Sequence, residues 1–379
     1  MAEQRCHFIQ ELLETIPNLQ PPPPQDSQQL ACNADSQTKQ NGKEREVLPS
    51  EALQGYLFAF DYSDGLQSGR RTVILGRLLF QPTDINGRGP IVVEVHCDCQ
   101  GHSCDWKGSN GRCNWDGLDL IVKIRFPAAG RVYEEEIIRH LLNLAAGPHT
   151  WVCNHLPNLL CSFTIPFDGH GVQGKLQNKL DDEEIHKGRV IRGSIQERIF
   201  PIWEVECEFE EAQVVYDAFQ CHEWVHDIGR VLHRDISMNN VMFRRIEGKI
   251  YGVLNDFDLA TCIDDLDRTP TSKHRTGTRP FMAYEQHYIN WNGPPRYRHD
   301  AESFFYLILI LGCDYSRPGK KVKDPPFQAW INGGDEYLFD KKSILCTNGK
   351  FSPPTATARF RYRIWLRKIQ LMLFHGVTS

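Results

Sequence analysis

Two short stretches concentrate side chains able to do chemistry. Val231–Phe243 reads VLHRDISMNNVMF and sets His233, Arg234 and Asp235 ahead of Asn240, five residues beyond the Asp. Twenty-one residues beyond Asp235 stands Asp256, in NDFDLA, followed by Phe257 and Asp258. A carboxylate can take the proton of an attacking hydroxyl. An amide oxygen and a second carboxylate are hard ligands that suit magnesium. A short loop can present the first carboxylate and the amide together, and a following hairpin can return the second carboxylate to them. Such a set suits transfer of a phosphoryl group, where positioning and charge neutralisation do most of the work.

The chain that must position these groups has 379 residues, room for two or three domain-sized lumps or one two-lobed unit. It is 41% hydrophobic and 24% charged, which excludes a wholly disordered or collagen-like chain. With 43 basic and 48 acidic residues its net charge is −5, too balanced for a bulk nucleic-acid or anionic-membrane surface. Its start lacks a basic region followed by an apolar core, so it does not read as a signal peptide. The strongest apolar run, Phe304–Leu311, is far shorter than the roughly 20 residues of a membrane span. These features lead us to expect a cytoplasmic or nuclear protein. The thirteen cysteines are scattered, and most read as buried small hydrophobes. His96, Cys97, Cys99, His102, Cys104 and Cys113 are denser, but no Cys-x-x-Cys pair occurs among them. The simpler reading of this cluster, over about 96–117, is an insertion between two strands.

Residues 1–50 read as a short amphipathic helix followed by a linker. Phe8, Leu12, Leu13 and Ile16 have helical spacing over His7–Ile16, and four consecutive prolines follow at 21–24. From Glu51 to Phe200 the chain looks strand-rich, with apolar, β-branched runs at Arg71–Phe80, Pro90–His96 and Leu118–Arg125. A helix is expected over Glu134–Ala146, and a further strand over Arg189–Phe200. Beyond Glu210 the pattern turns helical, and the run at Phe304 reads as a buried helix. Strands first and helices later make an α+β arrangement, with domains at 51–200 and 201–379.

His-Arg-Asp with its Asn, and the later Asp-Phe, resemble the catalytic loop and metal-binding motif of protein kinases. RTGTRPFMAYE (Arg275–Glu285) resembles the end of a kinase activation segment, with Ala283-Tyr284-Glu285 where Ala-Pro-Glu usually stands. RHDAESFFYLILI opens an apolar helix with Asp300, as kinases do. HRDIS, NDFDLA, GTRPFMAYE, RHDAESFFY and WVCNHLPNLLCS (Trp151–Ser162) together look like the fungal-type protein kinase family, with the likeness running from about Leu78 onward. The resemblance implies a bilobal protein-kinase-like fold, with a β-rich N-lobe and a helical C-lobe. It also implies ATP and Mg as cofactors, a protein substrate and transfer to Ser or Thr hydroxyls. On that resemblance Asp235 is the catalytic base, and Asn240 and Asp256 are the magnesium ligands. Lys123 matches the lysine that holds the α- and β-phosphates, and Glu134, three residues before Ile137, is its brace, with Glu135 as the fallback. Gly87 and Gly89 supply two of three expected glycines in a phosphate-covering loop; Val92 stands at the third place, and a plain hairpin turn fits as well.

Three departures matter. Ser237 stands where Ser/Thr kinases normally carry a lysine that touches the γ-phosphate. Asp258 replaces the glycine after Asp256-Phe257, which points to a loop held in one state rather than toggled. Tyr284 replaces a proline. Arg234 resembles an arginine that binds an activation-loop phosphate, and Thr269, Thr271, Ser272 and Thr276 are the candidate hydroxyls. A pseudokinase scaffold is the alternative that the departures favour. A small-molecule phosphotransferase is the second, against which the segment 275–285 argues.

Overall fold

The computed structural model describes residues 19–20, 51–63, 68–81, 90–98, 113–127, 132–166, 190–265, 277–347 and 360–378. The expected helix at His7–Ile16, the proline tract, Gly87 and Gly89 lie outside the described residues. So do Cys99, His102, Cys104 and the four candidate phosphorylation sites. The architecture is mixed α/β, and the chain divides into two compact units: Met1–Arg131 with Leu159–Arg198, and Val132–Asn158 with Ile199–Ser379. Among the described residues no helix is long and apolar enough to cross a membrane.

The first unit is built on an antiparallel sheet. Its strands are β1 (Leu19–Gln20), β2 (Leu57–Ser63), β3 (Ser68–Phe80), β4 (Ile91–Cys97), β5 (Leu120–Arg125), β6 (Leu159–Pro166) and β7 (Val190–Glu197). They lie in the order β1-β2-β3-β4-β5-β7-β6, and β2 also meets β6 at Ser63 and Ser162, so the sheet curls back on itself. Curling encloses alternate side chains of every strand. Phe58, Phe60 and Phe163 fill that interior, with ring centroids 4.5–5.4 Å apart. Phe163 lies over Gly193, its cross-strand partner on β7, where a Cβ would fall 2.0 Å from the ring. The strand β5 is buried along its whole length. Lys123 on it pairs in register with Val92 and Ser194 and is 3% exposed, which excludes a solvent-facing strand lysine.

The second unit gathers the helices. Helix α1 (Glu134–Leu144) carries three glutamates in its first turn, where the helix dipole favours anions, and buries Ile137, Ile138 and Leu141. Sequence alone suggests that two of these glutamates are surface charges; only Glu136 is, since Glu134 and Glu135 are buried. Helix α2 (Glu208–Asp227) follows the short strand β8 (Phe200–Pro201). A two-residue ladder, β9 (Val231–Leu232) with β12 (Thr261–Cys262), brackets the hairpin β10 (Val241–Ile246) and β11 (Lys249–Leu254). Helix α3 (Tyr297–Asp314) is buried on all sides from Phe304 to Leu311, as expected for a run with no polar face. Helices α4 (Ala329–Asn332), α5 (Asp335–Thr347) and α6 (Phe360–Thr378) complete the unit.

One close approach fixes where the hairpin sits. Gly252 on β11 donates its N–H to Asp217 Oδ2 at 2.9 Å and accepts from His155 Nδ1 at 2.7 Å. A Cβ at Gly252 would fall 2.2 Å from the Val214 carbonyl oxygen and 2.9 Å from Asp217 Cβ, both on α2. Because the obstacle is backbone, neither side can give cheaply. Gly252→Ala is therefore expected to lower unfolding free energy by about 2 kcal/mol, read in urea titration. An unchanged midpoint would mean that α2 does not hold the hairpin as described.

Candidate active site

The site begins with a buried carboxylate. Asp300 sits in the first turn of α3 and is 4% exposed. Its Oδ2 accepts the N–H of His233 at 3.1 Å and its Oδ1 accepts the N–H of Arg234 at 3.1 Å. His222, wholly buried on α2, lies with Nε2 3.0 Å from Oδ2. Burial alone would push the Asp300 carboxyl up. The His222 bond, the nearby imidazoles and the Arg234 N–H outweigh it and hold the group below the ordinary aspartate value. The grip matters because Arg234 has φ = 69°, a left-handed conformation that non-glycine residues adopt only at a cost.

Held this way, the loop aims Asp235 at its neighbours. Asp235 Oδ1 accepts both the N–H and the hydroxyl of Thr278, each at 2.8 Å. Asn240 donates its amide N–H to the Asp235 carbonyl at 2.7 Å and to Oδ2 at 3.1 Å. With the amide nitrogen committed to Asp235, the amide oxygen is the atom Asn240 has to offer a cation. Burial pushes Asp235 up to about 6, with a further upward push from the Asp256 carboxylate, while the Thr278 and Asn240 bonds pull it back. That push places Asp235 within the electrostatic field of Asp256.

His233 ties the two loops together. Its Nε2 lies 3.0 Å from the Asn255 carbonyl, and its Nδ1 accepts the Asp235 N–H at 3.3 Å. A carbonyl can only accept, so Nε2 carries the proton and the ring is neutral. Burial, the largest influence, lowers its pKa to about 4, in agreement. Asp256 has φ = 66°, an excursion that aspartate tolerates better than most residues. Beyond it Phe257 is fully buried, its ring edge-on to His233 with centroids 4.9 Å apart, and its N–H donates to Glu134 Oε1 at 3.0 Å. Phe257 is thus packed beneath the loop.

Asp235, Asn240, Asp256 and Glu134 therefore come together within the second unit. Lys123 stands on β5 of the first. Ser237 is 1% exposed, and its hydroxyl has no hydrogen-bond partner among the described residues. It points into the protein and brings no charge to the place of the missing lysine. Glu285 pairs with Arg298 and His299 on α3, so the close of the segment 277–285 is fastened as well. Sequence reading missed the roles of Thr278 and His233; the only signal was their place inside stretches already singled out. Among the described residues no group of three or more His, Cys, Asp or Glu side chains is placed to hold a metal ion. Cys97 and Cys113 do meet, with sulfurs 3.4 Å apart. Asp300→Ala leaves two buried N–H groups without their acceptor, so unfolding free energy is expected to fall by about 3 kcal/mol. A loss under about 0.5 kcal/mol in chemical denaturation, the ordinary range of a surface change, would contradict the role given to Asp300.

Comparison with known proteins bears on this segment. No curated protein matches the chain. Residues 176–312 match the family model described as fungal protein kinase. The matched stretch contains Asp235, Asn240, Asp256 and Asp300, while Lys123 and Glu134 precede it. Over that stretch, which holds Asp235, Asn240 and Asp256, the chain is similar to fungal protein kinases.

Proposed function

We propose that the chain is an ATP-dependent protein kinase that transfers the γ-phosphoryl group to Ser or Thr hydroxyls of protein substrates. The observation that carries this reading is the convergence of Asp235, Asn240 and Asp256 on one field within one unit. Two carboxylates close enough to raise the pKa of one of them, beside an amide oxygen, form a donor set that fits a hard divalent cation. In the proposed site Asn240 and Asp256 hold magnesium, which supplies charge neutralisation for the phosphates. Lys123 and Glu134 are assigned to the nucleotide phosphates on the family resemblance. Gly87 and Gly89 are assigned to the phosphate-covering loop on the same ground. The bilobal reading goes with this assignment.

What the chain's own residues do follows from their bonds. Thr278 and Asn240 fix the Asp235 carboxylate from two sides, so a substrate hydroxyl meets it in one orientation. Asp235 accepts the hydroxyl proton as the oxygen attacks. Only the ionised carboxylate can do this, and its pKa is about 6. Activity is therefore present above that value and lost as pH falls through it.

The test is transfer of radiolabel from ATP with magnesium to a serine/threonine peptide library. The wild-type chain labels peptide, and kcat/KM shows an acid limb near pH 6. Asp235→Asn is expected to slow transfer by about 10²–10⁴-fold, the ordinary worth of a general base, while nucleotide binding persists. Equal transfer by the variant would remove Asp235 from the role. Nucleotide binding without transfer by the wild type would favour the scaffold reading, and faster labelling of a metabolite panel would favour a small-molecule substrate.

A further inference from the structure

A lysine far along the chain holds the segment that touches Asp235. Lys342 on α5 is wholly buried, a rare state for this side chain. Its Nζ donates to the Arg279 carbonyl at 3.1 Å, the Met282 carbonyl at 2.5 Å and His287 Nε2 at 3.2 Å. The third acceptor is available because His287 Nδ1, 3.0 Å from Asp335 Oδ1, carries that ring's proton. Burial and the Lys342 charge lower His287 to about 4, so it stays neutral and can accept. The ammonium also lies 4.5 Å from the Tyr306 ring centroid and 5.3 Å from that of Trp330. Three donors meet three acceptors between two ring faces, an arrangement that favours the charged form against the burial that pulls Lys342 down to about 7.

The carbonyls held this way belong to one turn. Phe281 and Met282 both donate their N–H to the Thr278 carbonyl, at 2.9 and 3.2 Å. Thr278 is the residue whose N–H and hydroxyl fix Asp235 Oδ1. Just beyond, Tyr284 donates its N–H to buried Glu302 Oε1 at 2.6 Å. Lys342 thus secures one end of a rigid turn whose other end is the partner of the proposed base.

We propose that Lys342 is a positioning residue for peptide acceptors: by clamping the 279 and 282 carbonyls from beneath, it sets the height and tilt of the turn 278–282, on which an acceptor's backbone lies beside Asp235. The role rests on the kinase reading above. It acts on the acceptor and leaves nucleotide binding alone, because its contacts are confined to the turn, its flank and the helices below.

Steady-state kinetics with the best acceptor from a serine/threonine peptide library tests it. Lys342→Met keeps the length of the side chain and removes the donors. Peptide KM is expected to rise about tenfold while KM for ATP stays within about twofold. Unchanged peptide KM, or an equal rise in both constants, would overturn the proposal. If Lys342→Met gives no cooperative melt, two variants of its third acceptor decide. His287→Gln retains an acceptor toward Nζ and should keep peptide KM near wild type, whereas His287→Leu should raise it; equal peptide KM in the two overturns the role. A wild-type chain that labels no peptide fails at an earlier step and removes the kinase reading itself, a result distinct from either outcome.

Discussion

The geometry of the site hangs on one buried anion. Asp300 is taken from water at the start of the most apolar helix, and its charge is balanced by backbone N–H groups and an imidazole rather than by an arginine or lysine. Backbone donors cannot swing away as a side chain can, so the carboxylate fixes the loop's path and not just its contacts. The left-handed Arg234 is the visible consequence, and the direction of Asp235 follows from it. The rigidity of α3, packed on every side, makes the anchor a fixed point.

From that point two loops are cross-linked by neutral hydrogen bonds. His233 receives the N–H of Asp235 and donates to the carbonyl of Asn255, while Asn255 donates its own N–H to the carbonyl of Asn240 at 2.8 Å. Phe257 and Glu134 extend the network to α1. The two carboxylates thereby share a field in which Asp256 disfavours ionisation of Asp235. Their proximity is costly without a cation and useful with one, which is why a donor set of this kind reads as functional and not as packing.

Much of this was legible in the residues and some was not. The strands at Ser68–Phe80, Ile91–Cys97 and Leu120–Arg125 announce themselves by β-branched apolar runs, and α3 by its unbroken hydrophobicity. Strands β2 (LFAFDYS) and β6 (LLCSFTIP) are less plain in sequence: they form by pairing along their length with β3 and β7, and they meet each other at Ser63 and Ser162. The spacing of Asp235, Asn240 and Asp256 pointed to the proposed site. Thr278 and Lys342 were invisible because their roles come from long-range contacts that neither local pattern nor composition encodes. The buried state of Glu135 likewise depends on what covers the first turn of α1, not on the turn itself.

The most direct test of the central claim is a crystal structure of the chain with a non-hydrolysable ATP analogue and manganese, located by its anomalous signal. The account predicts manganese ligated by Asn240 and Asp256, with the Asp235 carboxylate still bonded to Thr278 and facing the terminal phosphate. Manganese and nucleotide bound elsewhere, with Asn240 and Asp256 contacting neither, would contradict it.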